Sequence, residues 1–291
     1  MHTKRSKLIF LLPGLLVLVA IILFPLLFTI RVSFSSWDVI TPGLNWYGIK
    51  NYVRLFADTR FWESMGRLSF VAVSTVLIEY LLGFALALLV LKEVRCKRFF
   101  RVLFLVPMMT TPVIMSVIWR TIFHESIGPL NDLLGIIGID PIPWLSTSHM
   151  AMASVMIVEV WQWTPFMFLL LLAGLLSLPK EPFQAAEVDG AGPLRTFFLV
   201  TFPLMAPITI ATLIIRLIEA SKVMETVYVL TSGGPGTATE TGSYYIYIRG
   251  LREFQIGYAA SMSVTYLVLM IVALTIIAKI LVKLMVVKEG K

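Results

Sequence analysis
The chain has 291 residues, 58% of them hydrophobic and 14% charged, with a formal net charge of +7 and a mean hydropathy of +0.88. An ordinary soluble domain carries about 25% charged residues, so this composition excludes a soluble globule: there is too little polar side chain to cover one. A nucleic-acid role is excluded with it, because the Lys and Arg excess is scattered between apolar runs and forms no clustered basic face.

Six apolar runs are long enough to cross a hydrocarbon core, which takes about 20 helical residues. They lie near Leu8–Ile30, Leu68–Leu91, Val102–Phe123, Met150–Leu178, Phe197–Ile215 and Gly257–Val282. Backbone polar groups must be satisfied inside lipid, so these runs are predicted to be α-helical. The first run exceeds the 7–15 residues of a signal-peptide core and is expected to persist as a helix. With the N-terminus inside, the inner segments hold fourteen of the 24 Lys and Arg residues, while the 26-residue loop from His124 to His149 holds none. The positive-inside rule then places both termini and the loop at about 179–196 in the cytoplasm. No repeat, low-complexity tract or linker divides the chain, so one membrane domain over 1–291 is predicted.

The first outer loop, Arg31 to Arg67, is rich in aromatics: Trp37, Trp46, Tyr47, Tyr52, Phe56, Phe61 and Trp62. Such rings suit the membrane–water interface. The loop reads either as an interfacial helix packed on the bundle or as a contact surface for an external partner. In the second span, Glu79 stands beside Tyr80, and ionisable groups inside spans are functional hypotheses by default. Cys96 is alone beside Lys97 and Arg98, so no disulfide framework exists, and His2, His124 and His149 lack metal-ligand spacing. The fourth span carries Glu159, Trp161, Gln162, Trp163, Thr164 and Pro165. Stacking faces next to hydrogen-bonding groups are how a protein holds a sugar ring. The alternative is packing tryptophans, with Gln162 bonding a neighbouring helix.

Near the end of the fifth span, Arg216, Glu219, Lys222 and Glu225 follow at three-residue steps. Opposite charges at that spacing pair along a helix, so the run reads as a self-paired ion ladder or as the outer mouth of a pathway. The segment Tyr228 to Gly236 ends in Gly-Gly-Pro-Gly. It lacks the Lys-Ser/Thr of a phosphate loop and reads as a tight turn fixed by proline.

The one substantial polar island late in the chain is Gln184-Ala185-Ala186-Glu187-Val188-Asp189-Gly190-Ala191-Gly192, followed by Phe197, Pro203 and Pro207. Small helix formers, a Gly break and a Pro-rich re-entry into the next span make a knob that needs a socket. The prolines each remove a backbone donor and invite a kink. The pattern resembles the coupling loop, E-A-A-x-x-x-G, of the membrane subunits of ATP-binding-cassette importers, with Gln184 in place of the leading Glu. Gly48, Asn51, Tyr52 and Phe56 fit a segment common in the sugar-transporting branch of that family, and the Gly-Gly-Pro turn is similar to one found there.

The resemblance implies an all-α membrane protein of six transmembrane helices with both termini cytoplasmic, in the type I importer permease architecture. It implies that Gln184, Ala185, Ala186, Glu187, Asp189, Gly190 and Ala191 dock on a separate nucleotide-binding subunit. ATP and Mg belong to that subunit, present as a dimer, and this chain binds no cofactor and has no catalytic or metal residues. Each ATPase subunit needs one docking helix, so a second permease chain is required, and the branch commonly pairs two different ones. An extracytoplasmic solute-binding protein would deliver the sugar or polyol. Substrate-pathway candidates are Glu79, Tyr80, Glu159, Trp161, Gln162, Trp163, Arg216 and Glu219. The competing reading is a proton-coupled carrier using Glu79 and Glu159, and a third is a scaffold subunit with no substrate dependence. Carrier folds show inverted repeats, and the sequence has no such symmetry.

Overall fold
A computed structural model describes residues 4–91 and 102–285. Cys96 with Lys97 and Arg98, and likewise His2, Lys288 and Lys291, lie outside the described residues. In chain order the helices are α1 (Lys4–Ser33), α2 (Lys50–Phe56), α3 (Thr59–Leu91), α4 (Pro112–Ile122), α5 (Pro129–Ile136) and α6 (Ser148–Ser177). Then come α7 (Glu181–Val188), α8 (Pro193–Leu204), α9 (Ala206–Ala220), α10 (Glu225–Leu230), α11 (Gly242–Tyr247) and α12 (Ile256–Met285). Residues Phe197–Thr201 of α8 and Ile248–Arg252 after α11 are π-helical.

Four of these helices, α1 from Phe10 onward, α3, α6 and α12, are long and apolar enough to cross a membrane. The pair α8 and α9 makes a fifth if counted as one span, bent by 65° at Met205. Pro203 and Pro207 flank that bend, and each withdraws a donor from the helical ladder. The third apolar run is also broken. Pro107–Met109 forms a 3₁₀ turn, Thr110 and Thr111 are extended, and α4 begins only at Pro112. A residue before proline is pushed out of the α region, which accounts for Thr111. The predicted span of 102–123 is therefore an eleven-residue helix plus a preceding bent segment. The run is apolar as expected, but it is not one continuous helix.

The chain divides into two compact units, Met1–Trp62 with Tyr245–Met270 and Glu63–Tyr244 with Ile271–Lys291. In the first, Asn51 is buried and donates through Nδ2 to the carbonyls of Ser33 and Ser35, both at 2.9 Å. The Tyr52 hydroxyl meets Ser33 Oγ at 2.7 Å. The Asn-Tyr pair of the outer segment thus pins α2 to the end of α1. Asp58 receives the Tyr258 hydroxyl at 2.7 Å, the Tyr245 hydroxyl at 2.9 Å and the Phe61 amide at 3.1 Å. Burial alone would raise its pKa, but these bonds and the Arg249 charge outweigh it and hold the carboxyl below its usual range. A depressed carboxyl contributes stability above its unfolded pKa and loses it as pH falls through the folded one. Thermal stability of the purified protein is therefore expected to drop below about pH 4, and Asp58→Ala is expected to flatten that drop. An unchanged acid limb in the variant would remove Asp58 as its source.

In the second unit, α3 and α6 touch backbone to backbone. A Cβ on Gly83 would come 2.7 Å from Met167 Cβ and 2.9 Å from Phe168 N. Small residues let membrane helices approach this closely, and Phe84, Met167, Phe168 and Leu171 fill the surrounding core. Gly83→Val is expected to cost about 1–3 kcal/mol, because backbone cannot step aside. Gly66, also in α3, has open space around it, so Gly66→Ala should leave the melting temperature unchanged. Between α4 and α6, Asn131 organises a loop that the sequence did not single out. Its Nδ2 donates to the carbonyls of Glu125 and Ile142, and its Oδ1 accepts from Ile142 N and Trp144 Nε1.

The Gly-Gly-Pro turn closes as a set of left-handed residues: Ser232, Gly233 and Gly236 all have positive φ. Thr239 is fully buried and donates to the Gly234 carbonyl at 2.9 Å. A side chain on Gly233 would strike the Tyr244 ring at 2.8 Å.

Candidate functional site
Two sites emerge from the second unit, one at α7 and one around Arg216. Helix α7 starts with Pro182 in its first turn and Glu181 beside the positive end of the helix dipole. It stops in two reciprocal bonds, Gly190 N to Glu187 O at 3.0 Å and Ala191 N to Ala186 O at 2.9 Å. That is a Schellman closure, and its left-handed position is Gly190, with φ +67°. Of the predicted coupling residues, Ala186 is buried and Ala191 is half-buried, while Gln184, Ala185, Glu187, Asp189 and Gly190 are exposed. Sequence reasoning passed over the apolar flanks: Val188 is 87% exposed and Leu194 76% exposed. Both are large apolar side chains that no described residue covers.

Phe197 ties this knob to the core. Its ring meets Phe84 of α3 edge-on at 5.6 Å, and Phe84 in turn meets Tyr80 at 5.7 Å. The Tyr80 hydroxyl reaches Thr209 of α9 at 3.3 Å.

Around Arg216 the geometry is ionic. Arg216 Nε donates to Glu79 Oε2 at 2.7 Å and Nη2 to Glu79 Oε1 at 2.8 Å, a bidentate fork. Nη2 also reaches Glu159 Oε2 at 3.2 Å, and Glu159 Oε1 accepts from Thr226 Oγ1 at 2.6 Å. The Trp163 ring lies 4.7 Å from the guanidinium carbon, within cation–π range. Arg216 and Glu79 are fully buried and Glu159 nearly so. Arg216 Nη1 has no hydrogen-bond partner among the described residues. One guanidinium therefore ties together α3, α6 and α9.

The ion-ladder expectation is thereby corrected in part. Glu219 is half-buried and pairs with Lys222 at 2.7 Å, whereas Arg216 turns inward to carboxylates 137 and 57 residues away. A three-residue step leaves about 60° of rotation around the axis, enough to separate the two faces here. The tryptophans also part company. Trp163 faces Arg216, while Trp161, 38% exposed, packs edge-on to Trp119 beside an almost wholly apolar hollow of about 810 Å³. Gln162 donates to the Thr110 carbonyl at 3.0 Å and so closes the break before α4.

Long apolar helices, one pair of them bent at Met205, make this a membrane protein that also holds a buried ionic cluster and a short helix, α7, with exposed apolar residues beside it. The chain belongs to the family described as the binding-protein-dependent transport system inner membrane component, matched over residues 79–287. It is 35% identical to the trehalose/maltose transport system permease protein MalF of Thermococcus litoralis, over 91% of each chain. It is 33% identical to the sulfoquinovosyl glycerol transport system permease protein SmoG of Agrobacterium fabrum, over 87% of this chain and 82% of that one. Among solved structures, a chain of a bacterial alginate ABC transporter in complex with an alginate pentasaccharide-bound periplasmic protein superposes with a TM-score of 0.82. That chain is 21% identical, and the match covers 96% of this chain and 95% of that one.

Proposed function
We propose that the chain is the transmembrane permease subunit of an importer that moves a sugar or polyol across the cytoplasmic membrane by alternating access. Hydrolysis of ATP, with Mg, takes place on a separate pair of nucleotide-binding subunits. The observation that carries this reading is α7: a short helix closed by a left-handed glycine, with Val188 and Leu194 exposed, joined through Phe197 to the core of the span bundle. In this reading both termini and α7 are cytoplasmic, and Gln184, Ala185, Ala186, Glu187, Asp189, Gly190 and Ala191 sit in a groove on the ATPase subunit. A second, different permease completes the pathway, and an extracytoplasmic solute-binding protein delivers the substrate. The names of the relatives, trehalose/maltose and sulfoquinovosyl glycerol transport system permease proteins, support a carbohydrate.

Glu79, Tyr80, Glu159, Trp163 and Arg216 form the polar side of the proposed pathway. Trp161 and Gln162 support it by packing, and Glu219 lies on the other face of α9. A proton-coupled carrier would need a carboxylate free to exchange protons with both sides. Glu79 and Glu159 are both held by Arg216, which does not favour that reading.

The test is a mild-detergent pull-down of the tagged chain with identification of co-purifying proteins and an ATPase assay. Recovery of a Walker-motif subunit and a second permease is expected. A folded chain recovered alone, together with uptake that survives ATP depletion but collapses with the proton gradient, would overturn the importer reading.

A further inference from the structure
The first unit holds a hollow of about 550 Å³ between the loop that follows α1 and the turn that leads into α12. We propose that it is a binding site for a neutral polyhydroxylated ligand, a mono- or disaccharide, separate from the cluster around Arg216. It rests on the transport reading only in placing this hollow on the extracytoplasmic side.

The walls are fixed before any ligand arrives. Gly257 N donates to the Trp37 carbonyl at 2.8 Å. A Cβ on Gly257 would lie 2.1 Å from the Ser35 carbonyl, so the loop and the start of α12 are pressed together. Asn51 clamps the same loop through its two Nδ2 bonds. Asp38 holds the rim, with Oδ1 accepting from the amides of Ile40 and Thr41 and from the Thr41 hydroxyl. A preformed cavity spares a ligand the ordering cost of binding.

The lining has unused capacity of both signs. The Arg54 guanidinium lies 4.0 Å over the Tyr258 ring and makes no hydrogen bond to any described residue. Gln255 donates through Nε2 to Glu253 at 2.9 Å, which leaves its Oε1 buried with no partner. An orphaned buried acceptor costs about 1–3 kcal/mol, and a ligand hydroxyl would supply its missing donor. Trp37, Tyr47 and Tyr258 contribute aromatic residues to the lining. Planar donors and acceptors beside an aromatic face suit sugar hydroxyls and CH groups.

Charge decides against an anion. The charged lining residues are Asp38, Arg54 and Glu253, and Glu253 is already paired with Arg249 at 2.6 Å. The lining therefore carries no net positive charge to draw in a phosphate or carboxylate. An apolar ligand would leave the buried Gln255 Oε1 unsatisfied. A neutral polyol meets neither objection.

The experiment is saturation-transfer NMR on the purified transporter complex in nanodiscs, without the solute-binding protein. Maltose, trehalose and glucose are the probes, and glycerol 3-phosphate is the anionic comparison. Neutral sugars are expected to show contact, and Arg54→Ala or Trp37→Ala to weaken it about fivefold to tenfold, the loss of roughly one hydrogen bond or stacking face. Gln255→Leu is expected to do the same, and an unchanged size-exclusion profile separates these losses from misfolding. Three results would overturn the proposal. One is no contact with any of the three sugars. The second is contact that survives Arg54→Ala and Trp37→Ala but vanishes in Trp163→Ala, which would locate the sugar in the pathway. The third is unchanged sugar contact with weakened capture of the solute-binding protein, which would make the hollow a protein-docking pocket. Uptake measured in the same variants reports on the transport reading independently, since failure of this site leaves ATP-dependent uptake standing.

Discussion

Arg216→Met is expected to be the most damaging single substitution in the chain, with a loss of about 3–5 kcal/mol of stability and of all uptake. Removing one partner from a buried ion pair leaves the other charge uncompensated, and that is the step that costs this much. Here the variant would strand two carboxylates, Glu79 and Glu159, with only the Thr226 hydroxyl between them and an apolar interior. The double variant Arg216→Met with Glu79→Met removes the bidentate pair but leaves Glu159 without its cation, so by the same reasoning it regains only part of the loss. It should therefore melt between Arg216→Met and the parent. Thermal unfolding of the purified complex, followed by size exclusion, reads both. If the single and double variants melt together, the Glu79 pair is not what joins α3 to α9. Uptake by the stable double variant then separates roles: transport restored with stability assigns the cluster to architecture, and transport still absent assigns it to the pathway.

Gly190→Val is expected to abolish uptake and ATPase stimulation while the chain still inserts and folds. The residue stands at φ +67° with nothing within 4 Å, so the obstacle is backbone conformation and not space. A left-handed residue with a Cβ costs about 1–2 kcal/mol, and a β-branched one is worse. Because the surroundings are open, the strain is relieved by unwinding the Schellman closure, which redirects Val188 and Leu194. Gly190→Ala should fall between parent and Gly190→Val. Gly192, two residues on, is extended at φ −69° with equally open surroundings, so Gly192→Ala should behave as the parent. Equal loss at both glycines would point to general loop sensitivity and against a role for the left-handed turn.

What could be read in the sequence was what depends on local pattern. Apolar runs located α1, α3, α6 and α12, the paired prolines anticipated the bend at Met205, and the Gly-Gly-Pro stretch announced a tight turn. The polar island at 184–192 announced a short helix closed by Gly190. Pairing over long separations was not legible. Arg216 had three acidic or basic neighbours at helical spacing and two true partners in other helices, and nothing in a single sequence ranks Glu79 above Glu219. Asn131 did not stand out in the sequence because its four bonds go to groups fixed only by the fold. The third span was read as continuous because hydropathy averages across Pro107 and Pro112, which interrupt the ladder without making the run less apolar.

The bend at Met205 gives α9 the geometry of a crank. From Met205 to Arg216 is eleven residues, an arm of about 16 Å at 1.5 Å per residue. Turning that arm by about 10° would sweep the guanidinium through nearly 3 Å, which exceeds the margin by which a hydrogen bond of 2.7–3.2 Å survives. A rotation of that size at the joint would be enough to break the contacts of Arg216 with both Glu79 and Glu159.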